Sequence, residues 1–272
     1  MSKTLLSLFD KSGVWSGPFA EAGWRVIQWD IGLADFMDIN LIDDAESALE
    51  LFESVDAILA GVPCTDFASS GAHVWSQKDS DGRTERSKEL VRQTLRLVDL
   101  FMPTDPDYDG TFFWAIENPV GRIHKLFPEL GEPYYFHPYE FAGCVELSAR
   151  DLARLDQLRD RNGVGITPAD VAFIQECGAY TKKTGLWGDF DRRLVKRPVA
   201  PVRACAQGSV TQAFGGKSER TKEIRSLTPK GFSQAFFEAN MNYTGNFRQI
   251  RERECQIQMS LLDAIMPPTP NQ

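Results

Sequence analysis

Short apolar runs alternate with amphipathic stretches over the first half of the chain. Residues 5–9 are apolar and end in the turn segment Asp10-Lys11-Ser12-Gly13. An amphipathic stretch over 15–22 follows and closes at Gly23, a natural helix stop. Arg25–Trp29 reads as a second strand ending at Asp30, and helical spacing returns over 45–52. Residues 55–60 form a continuous apolar run, as in a strand buried on both faces. The polar segment 65–82 is too long for a simple connection and is expected to be a functional loop. Arg83–Phe101 is the longest amphipathic helix, and 111–116 is another buried strand leading into Glu117-Asn118-Pro119.

Strands alternating with helices predict an α/β, Rossmann-like fold with a mostly parallel sheet flanked by helices. Ligand sites in such sheets lie at the carboxyl ends of the strands. Gly13, Asp30, Cys64 and Glu117 each follow a strand in this way.

Beyond residue 136 the pattern changes. Residues 148–161 and Pro168–Glu176 read as two helices, the second with Thr167 as N-cap and Pro168 at its first position. Together they look like an inserted helical hairpin. Residues 184–188 are expected to return to the sheet, 189–226 lack strong periodicity, and Thr228-Pro229 starts a helix running to about Asn240. No internal repeat is present. The expected organisation is a core over 1–142, an insertion over 143–178, a return over 179–188 and a basic region over 189–226. A C-terminal part over 227–266 completes the core, and a disordered tail follows from Pro267.

Composition adds less than distribution. The chain carries 30 basic and 38 acidic residues among 272, a formal net charge of −8. Residues 1–136 hold 11 basic and 23 acidic side chains, whereas 179–230 holds 12 basic and 4 acidic. Clustered Lys and Arg neutralise phosphates on one surface even when the whole protein is acidic, and they equally serve as a solvated face. No apolar run of membrane-spanning length and no charged-then-apolar leader is found, so a cytoplasmic protein is expected. Five cysteines without paired spacing and three dispersed histidines argue against a disulfide framework and against a metal centre.

Several residues carry candidate chemistry. Gly13 and Gly17 permit close approach to a nucleotide-like ligand, although such glycines also serve simple turns. Asp30 is placed to accept from two ribose hydroxyls. Neither a full dinucleotide glycine fingerprint nor a phosphate loop is present, so an adenosine cofactor without phosphates fits better. Cys64 sits on a loop leaving a buried strand, where a neighbouring cation or donor favours thiolate. Glu117 brings a carboxyl to the mouth of another strand. A cysteine hydrolase would need a histidine base, and His73 is the one weak candidate.

The segment from Pro63 to Gly71 (Pro-Cys-Thr-Asp-Phe-Ala-Ser-Ser-Gly) resembles the Pro-Cys-x-x-Phe-Ser-x-x-Gly loop of the DNA cytosine-5 methyltransferase family. Glu117-Asn118 resembles its Glu-Asn-Val motif, with Pro119 in place of valine. Leu8-Phe9 and Gly13 resemble its first cofactor motif, Asp30 its ribose-binding acid, and Asp38-Ile39 its adenine-contacting pair. Thr228-Pro229 resembles a late Leu-Thr-Pro segment.

The resemblance implies an S-adenosylmethionine-dependent enzyme with Cys64 as nucleophile and Glu117, with Asn118, as its acid partner. It implies a cofactor site made of Phe9, Gly13, Trp15, Asp30, Ile31, Asp38, Ile39 and Pro63. Ser70, Lys182, Lys183, Thr184, Arg192 and Arg193 would contact the substrate, which is DNA, single- or double-stranded, in a bacterial or phage-infected cell.

The departures are specific. The first glycine of the usual Phe-x-Gly-x-Gly is replaced by Lys11. The family's Gln-x-Arg-x-Arg strand corresponds here to Tyr180-Thr181-Lys182-Lys183-Thr184, and lysine lacks arginine's planar fork. DNA-reading members also carry a much longer target-recognition region than the 189–226 stretch. Specificity should therefore be short, relaxed, or supplied by a partner. A cytosine in RNA or in a free nucleotide, and a non-catalytic nucleic-acid-binding relative, are the alternatives.

Overall fold

The computed structural model describes residues 2–30, 33, 50, 52–105, 108, 110–205 and 226–245. Six strands form one mixed sheet: β1 (Thr4–Leu8), β2 (Arg25–Trp29), β3 (Ala57–Ala60), β4 (Phe113–Pro119), β5 (Tyr134–Phe136) and β6 (Thr184–Trp187). Their order is β2-β1-β3-β4-β6-β5. The first four run parallel, while β6 pairs antiparallel to both β4 and β5. The protein is thus α/β with a mixed sheet flanked by helices: β6 alone runs against the other described strands, so the sheet is partly antiparallel at the β4-β6-β5 edge. The return over 184–188 is found, but its direction is reversed.

Alternation along the strands feeds two apolar layers. Leu6, Leu8, Ile58, Ala60 and Ile116 pack against Val91, Leu97 and Val98 of helix α3 (Arg83–Phe101) on one face. Leu5, Ala57, Leu59, Phe113 and Ala115 pack against Phe19 of α1 (Gly17–Glu21) and Phe232 and Phe236 of α7 (Lys230–Asn240) on the other. Burying both faces explains why these strands read as continuous apolar runs.

The stretch read as a long loop is instead built from short helical pieces, Cys64–Asp66, Ser69–Val74 and α2 (Trp75–Ser80). Helix α4 (Ile123–Leu126) follows β4. The inserted hairpin is present as α5 (Ala149–Asp160) and α6 (Pro168–Glu176), each opened by a capping box from Ser148 and Thr167. It has its own core of Leu155, Leu158, Val171, Ile174, Cys177 and Tyr180, and Val202 and Ala204 close it. Val199, Val202 and Ala204 thus pack on the insertion, whereas Phe190 and Leu194, earlier in the 189–226 region, join the main core. Among the described residues no helix is long and apolar enough to cross a membrane. The expected helix at 45–52 lies almost wholly outside the described residues, as does the tail.

Candidate active site

Strand register fixes which groups share an edge. Ala60 pairs with Ile116, so Cys64 and Glu117 leave adjacent parallel strands at the same carboxyl edge. Pro119 lies opposite Thr184 at the start of β6, and Thr184 opposite Phe136 at the end of β5. The reversed direction of β6 thus delivers residues 180–184 to the edge that carries Cys64.

The Cys64 segment is pinned by the exit of β4. Asn118, fully buried, donates from Nδ2 to the Val62 carbonyl at 2.9 Å. Ser69 N–H donates to Val120 O at 3.0 Å and Arg122 N–H to Phe67 O at 2.9 Å. The Arg122 guanidinium donates further to Asp66 O, Asp79 and Thr84, and stacks over Trp75 at 4.7 Å. Contact is so close at Gly121 that a Cβ there would stand 1.8 Å from Phe67 O. Below the loop, buried Asp66 binds Lys78 Nζ at 3.0 Å and accepts from Ser87 at 2.5 Å, and Lys78 also donates to Thr65 O. Burial opposes ionisation of Asp66, but Ser87 and Lys78 outweigh it and hold the carboxyl below its ordinary range. Lys78, Ser87 and Arg122 escaped the sequence reading, because only the fold brings them under the loop.

Glu117 is half-buried, and the loss of hydration pushes its carboxyl above the ordinary range, with the Lys182 charge pulling it part of the way back. A carboxyl so placed leans toward the protonated form that donates a hydrogen bond. The two lysines of the return differ. Half-buried Lys182 acts on Glu117, whereas exposed Lys183 lies over the Tyr135 ring at 4.4 Å. Thr184 is buried, with its hydroxyl on Lys182 O at 3.2 Å. Pro63 and Ser70 are exposed on the loop. Cys64 is half-buried, while Cys144 and Cys177 are buried with thiols pushed up by desolvation, Cys177 to about 11. His73 is exposed on the segment after the loop.

The β1 turn is organised by a carboxylate the sequence reading overlooked. Buried Asp10 accepts from Ser7, Ser12 and Ser16 at 2.9–3.0 Å, and Gln28 donates to its carbonyl at 2.7 Å. Phe9 and Gly13 take positive φ, 59° and 65°, and a Cβ on Gly13 would meet Gln28 at 2.9 Å. A non-glycine residue in that conformation costs roughly 1–3 kcal/mol, a strain commonly found where a ligand is held. Asp30 is half-buried at the end of β2.

Trp15 packs inward. It is 1% exposed and packs in the core on Phe232 and Phe236 with centroids 6.0 and 5.6 Å away. Ile31, Asp38 and Ile39 lie outside the described residues. Arg192 and Arg193 are not brought to the Cys64 edge. They follow the far end of β6, where Arg192 donates to Glu132 O at 3.0 Å and Arg193 forks onto Asp191. No protein-family model matches the chain, and no curated protein matches it significantly.

Proposed function

We propose that the chain is an S-adenosylmethionine-dependent cytosine-5 methyltransferase acting on DNA, with Cys64 as nucleophile and Glu117 as acid. The observation that carries the reading is the Asn118–Val62 hydrogen bond, which ties the Cys64 loop to the strand end bearing a carboxyl biased toward protonation. Nucleophile and acid are thereby held by one rigid connection, as a two-centre attack on a ring requires.

Carbon 5 of cytosine is a poor nucleophile. A Cys64 thiolate bonding to carbon 6, with Glu117 giving its proton to ring nitrogen 3, makes carbon 5 electron-rich. After carbon 5 gains a methyl group it loses its proton to a base, nitrogen 3 returns its proton, and the carbon–sulfur bond breaks to release Cys64. Lys182, whose charge acts on Glu117, lies in the segment that corresponds to the family's base-holding arginine strand, and it is assigned that role here. On a duplex the target base must first leave the stack.

The cofactor, when bound, supplies a methyl group on a positively charged sulfur. Residues of this chain fit such a nucleoside: Asp30 for the ribose hydroxyls, and Phe9 and Gly13 in backbone conformations that let the turn approach closely.

Methylation of cytosine in RNA or in a free nucleotide is the second reading. It is favoured by the placement of Arg192 and Arg193 at the opposite sheet edge, which leaves Lys182 and Lys183 as the described members of the two sequence-assigned basic pairs near Cys64. The test is to incubate the protein with labelled S-adenosylmethionine and duplex DNA, single-stranded DNA, structured RNA or dCMP, beside Cys64→Ala. 5-Methylcytosine in DNA that vanishes with Cys64→Ala supports the proposal. Label only in RNA or dCMP moves the substrate, and no transfer to any of them overturns it.

A further inference from the structure

β5 is an edge strand of the sheet, and it carries Tyr135, which is 39% exposed. Every other Phe, Tyr and Trp among the described residues is buried or half-buried. A tyrosine left in water offers an apolar face at little entropic cost, as binding surfaces do.

The register fixes where this ring stands. Asn118 pairs with Gly185 of β6, and Gly185 with Tyr135, so the three form one row across the sheet. Two strand spacings, roughly 10 Å, separate Tyr135 from Asn118. β4 and β5 both run antiparallel to β6, so β5 ends at the same edge that carries Cys64 and Glu117.

The surroundings are cationic and aromatic. Lys183 Nζ lies 4.4 Å from the centre of the Tyr135 ring. Lys196 Nζ lies 5.7 Å from that of neighbouring Tyr134 and pairs with Glu140 at 3.1 Å. Past the strand, the rings of His137 and Tyr139 lie 5.7 Å apart and 32° from parallel. Rings interleaved with lysines suit unpaired nucleic acid, whose bases stack on the rings while cations meet the phosphates. Distance selects the form of the strand. Successive bases of a duplex rise by only about 3.4 Å, so the base next to the target in a stack falls short of Tyr135. An extended, unstacked strand spans the gap.

We propose that Tyr135 is a stacking platform for a base flanking the target cytosine in single-stranded DNA, the base taking the place of Lys183 on the ring. That role rests on the methyltransferase reading and deepens it by naming an unpaired strand as the substrate. Because the base occupies the ring, loss of Lys183 is tolerated whereas loss of the ring is not.

The test is fluorescence anisotropy of a labelled cytosine-containing oligonucleotide, single-stranded and duplex, with wild type, Tyr135→Ala and Tyr135→Phe. Unchanged melting curves verify the fold. Wild type should bind the single strand about tenfold or more tighter than the duplex. Tyr135→Ala should lose roughly 5- to 150-fold on the single strand and less than about twofold on the duplex, while Tyr135→Phe, which keeps the ring, stays close to wild type. Tyr135→Ala that binds the single strand like wild type, or loses as much on the duplex, overturns the proposal, as does a wild type that prefers duplex. Size-exclusion chromatography tests a second copy of the chain as the occupant: a dimer that Tyr135→Ala splits, with oligonucleotide binding unchanged, also overturns it. Methyl transfer, read separately with labelled cofactor, decides the methyltransferase reading. Tyr135-dependent binding without transfer removes that reading and keeps the stacking site, and transfer to dCMP without oligonucleotide binding does the reverse.

Discussion

Asn118 Nδ2 donates to the Val62 carbonyl at 2.9 Å, two residues before Cys64 and one after Glu117. The bond crosses from the exit of β4 to the exit of β3 and has no exposed alternative, since Asn118 is fully buried. Its Oδ1 is buried without a partner, so the amide already bears a desolvation cost for the sake of this one contact. Asn118→Ala would leave the Val62 carbonyl unsatisfied too. The expected loss is about 1–3 kcal/mol in urea unfolding, and on the order of 10² in single-turnover methyl transfer as Cys64 loses its placement. A stable variant with full transfer would show that the bond does not position the loop.

Gly121 tests the same junction sterically. A Cβ at 1.8 Å from Phe67 O leaves no rotamer as an escape, because the clash is with backbone. Gly121→Ala should lower stability by about 2–4 kcal/mol and be detected as a fall in the urea midpoint.

Glu117 carries a pH signature. Its folded pKa lies above the unfolded one, so the folded state holds the proton more tightly. Stability from this group is fully present below the unfolded value and is lost as pH rises through the folded value. Glu117→Gln should therefore remove this loss and be at least as stable as wild type at neutral pH, while methyl transfer collapses. Urea midpoints across pH 4–8, compared between the two proteins, check the sign. A variant much less stable than wild type at neutral pH contradicts a protonation-prone carboxyl.

The two lysines should separate. Lys182→Met removes the cation assigned to hold the target base and should cut transfer about tenfold or more even though it lets Glu117 shift further up, whereas Lys183→Met, at an exposed ring contact, should change it less than about twofold. Equal effects would mean that the return segment does not discriminate between them.

Local signals carried much of this fold in the sequence. Thr167-Pro168 with Asp170 marks the start of α6, and the amphipathic period marks α3 from Arg83 to Phe101, because caps and periodicity act within a few residues. The carboxyl edge bearing Gly13, Asp30, Cys64 and Glu117 was legible for the same reason. What the sequence did not show depends on distant partners. Trp15 stands beside a ligand-like turn in sequence, but Phe232 and Phe236 claim it for the core. Arg192 and Arg193 are close to Lys182 along the chain, but the reversed β6 carries them to the other edge. The polar stretch after Cys64 is ordered because Asp66, Lys78, Ser87 and Arg122 satisfy one another across 56 residues. The three-residue β5 is too short to show a period.

The central claim is that Cys64 bonds covalently to cytosine, and a trapped adduct tests it most directly. With fluorine at carbon 5 there is no proton for the base to remove, so the carbon–sulfur bond cannot be released after methyl transfer. The protein would be incubated with S-adenosylmethionine and DNA containing 5-fluorocytosine, then digested and read by mass spectrometry. The account predicts a methylated fluorocytosine adduct on the Cys64 peptide, absent in Cys64→Ala. An adduct on another residue, or methyl transfer to normal cytosine with no adduct, would contradict it.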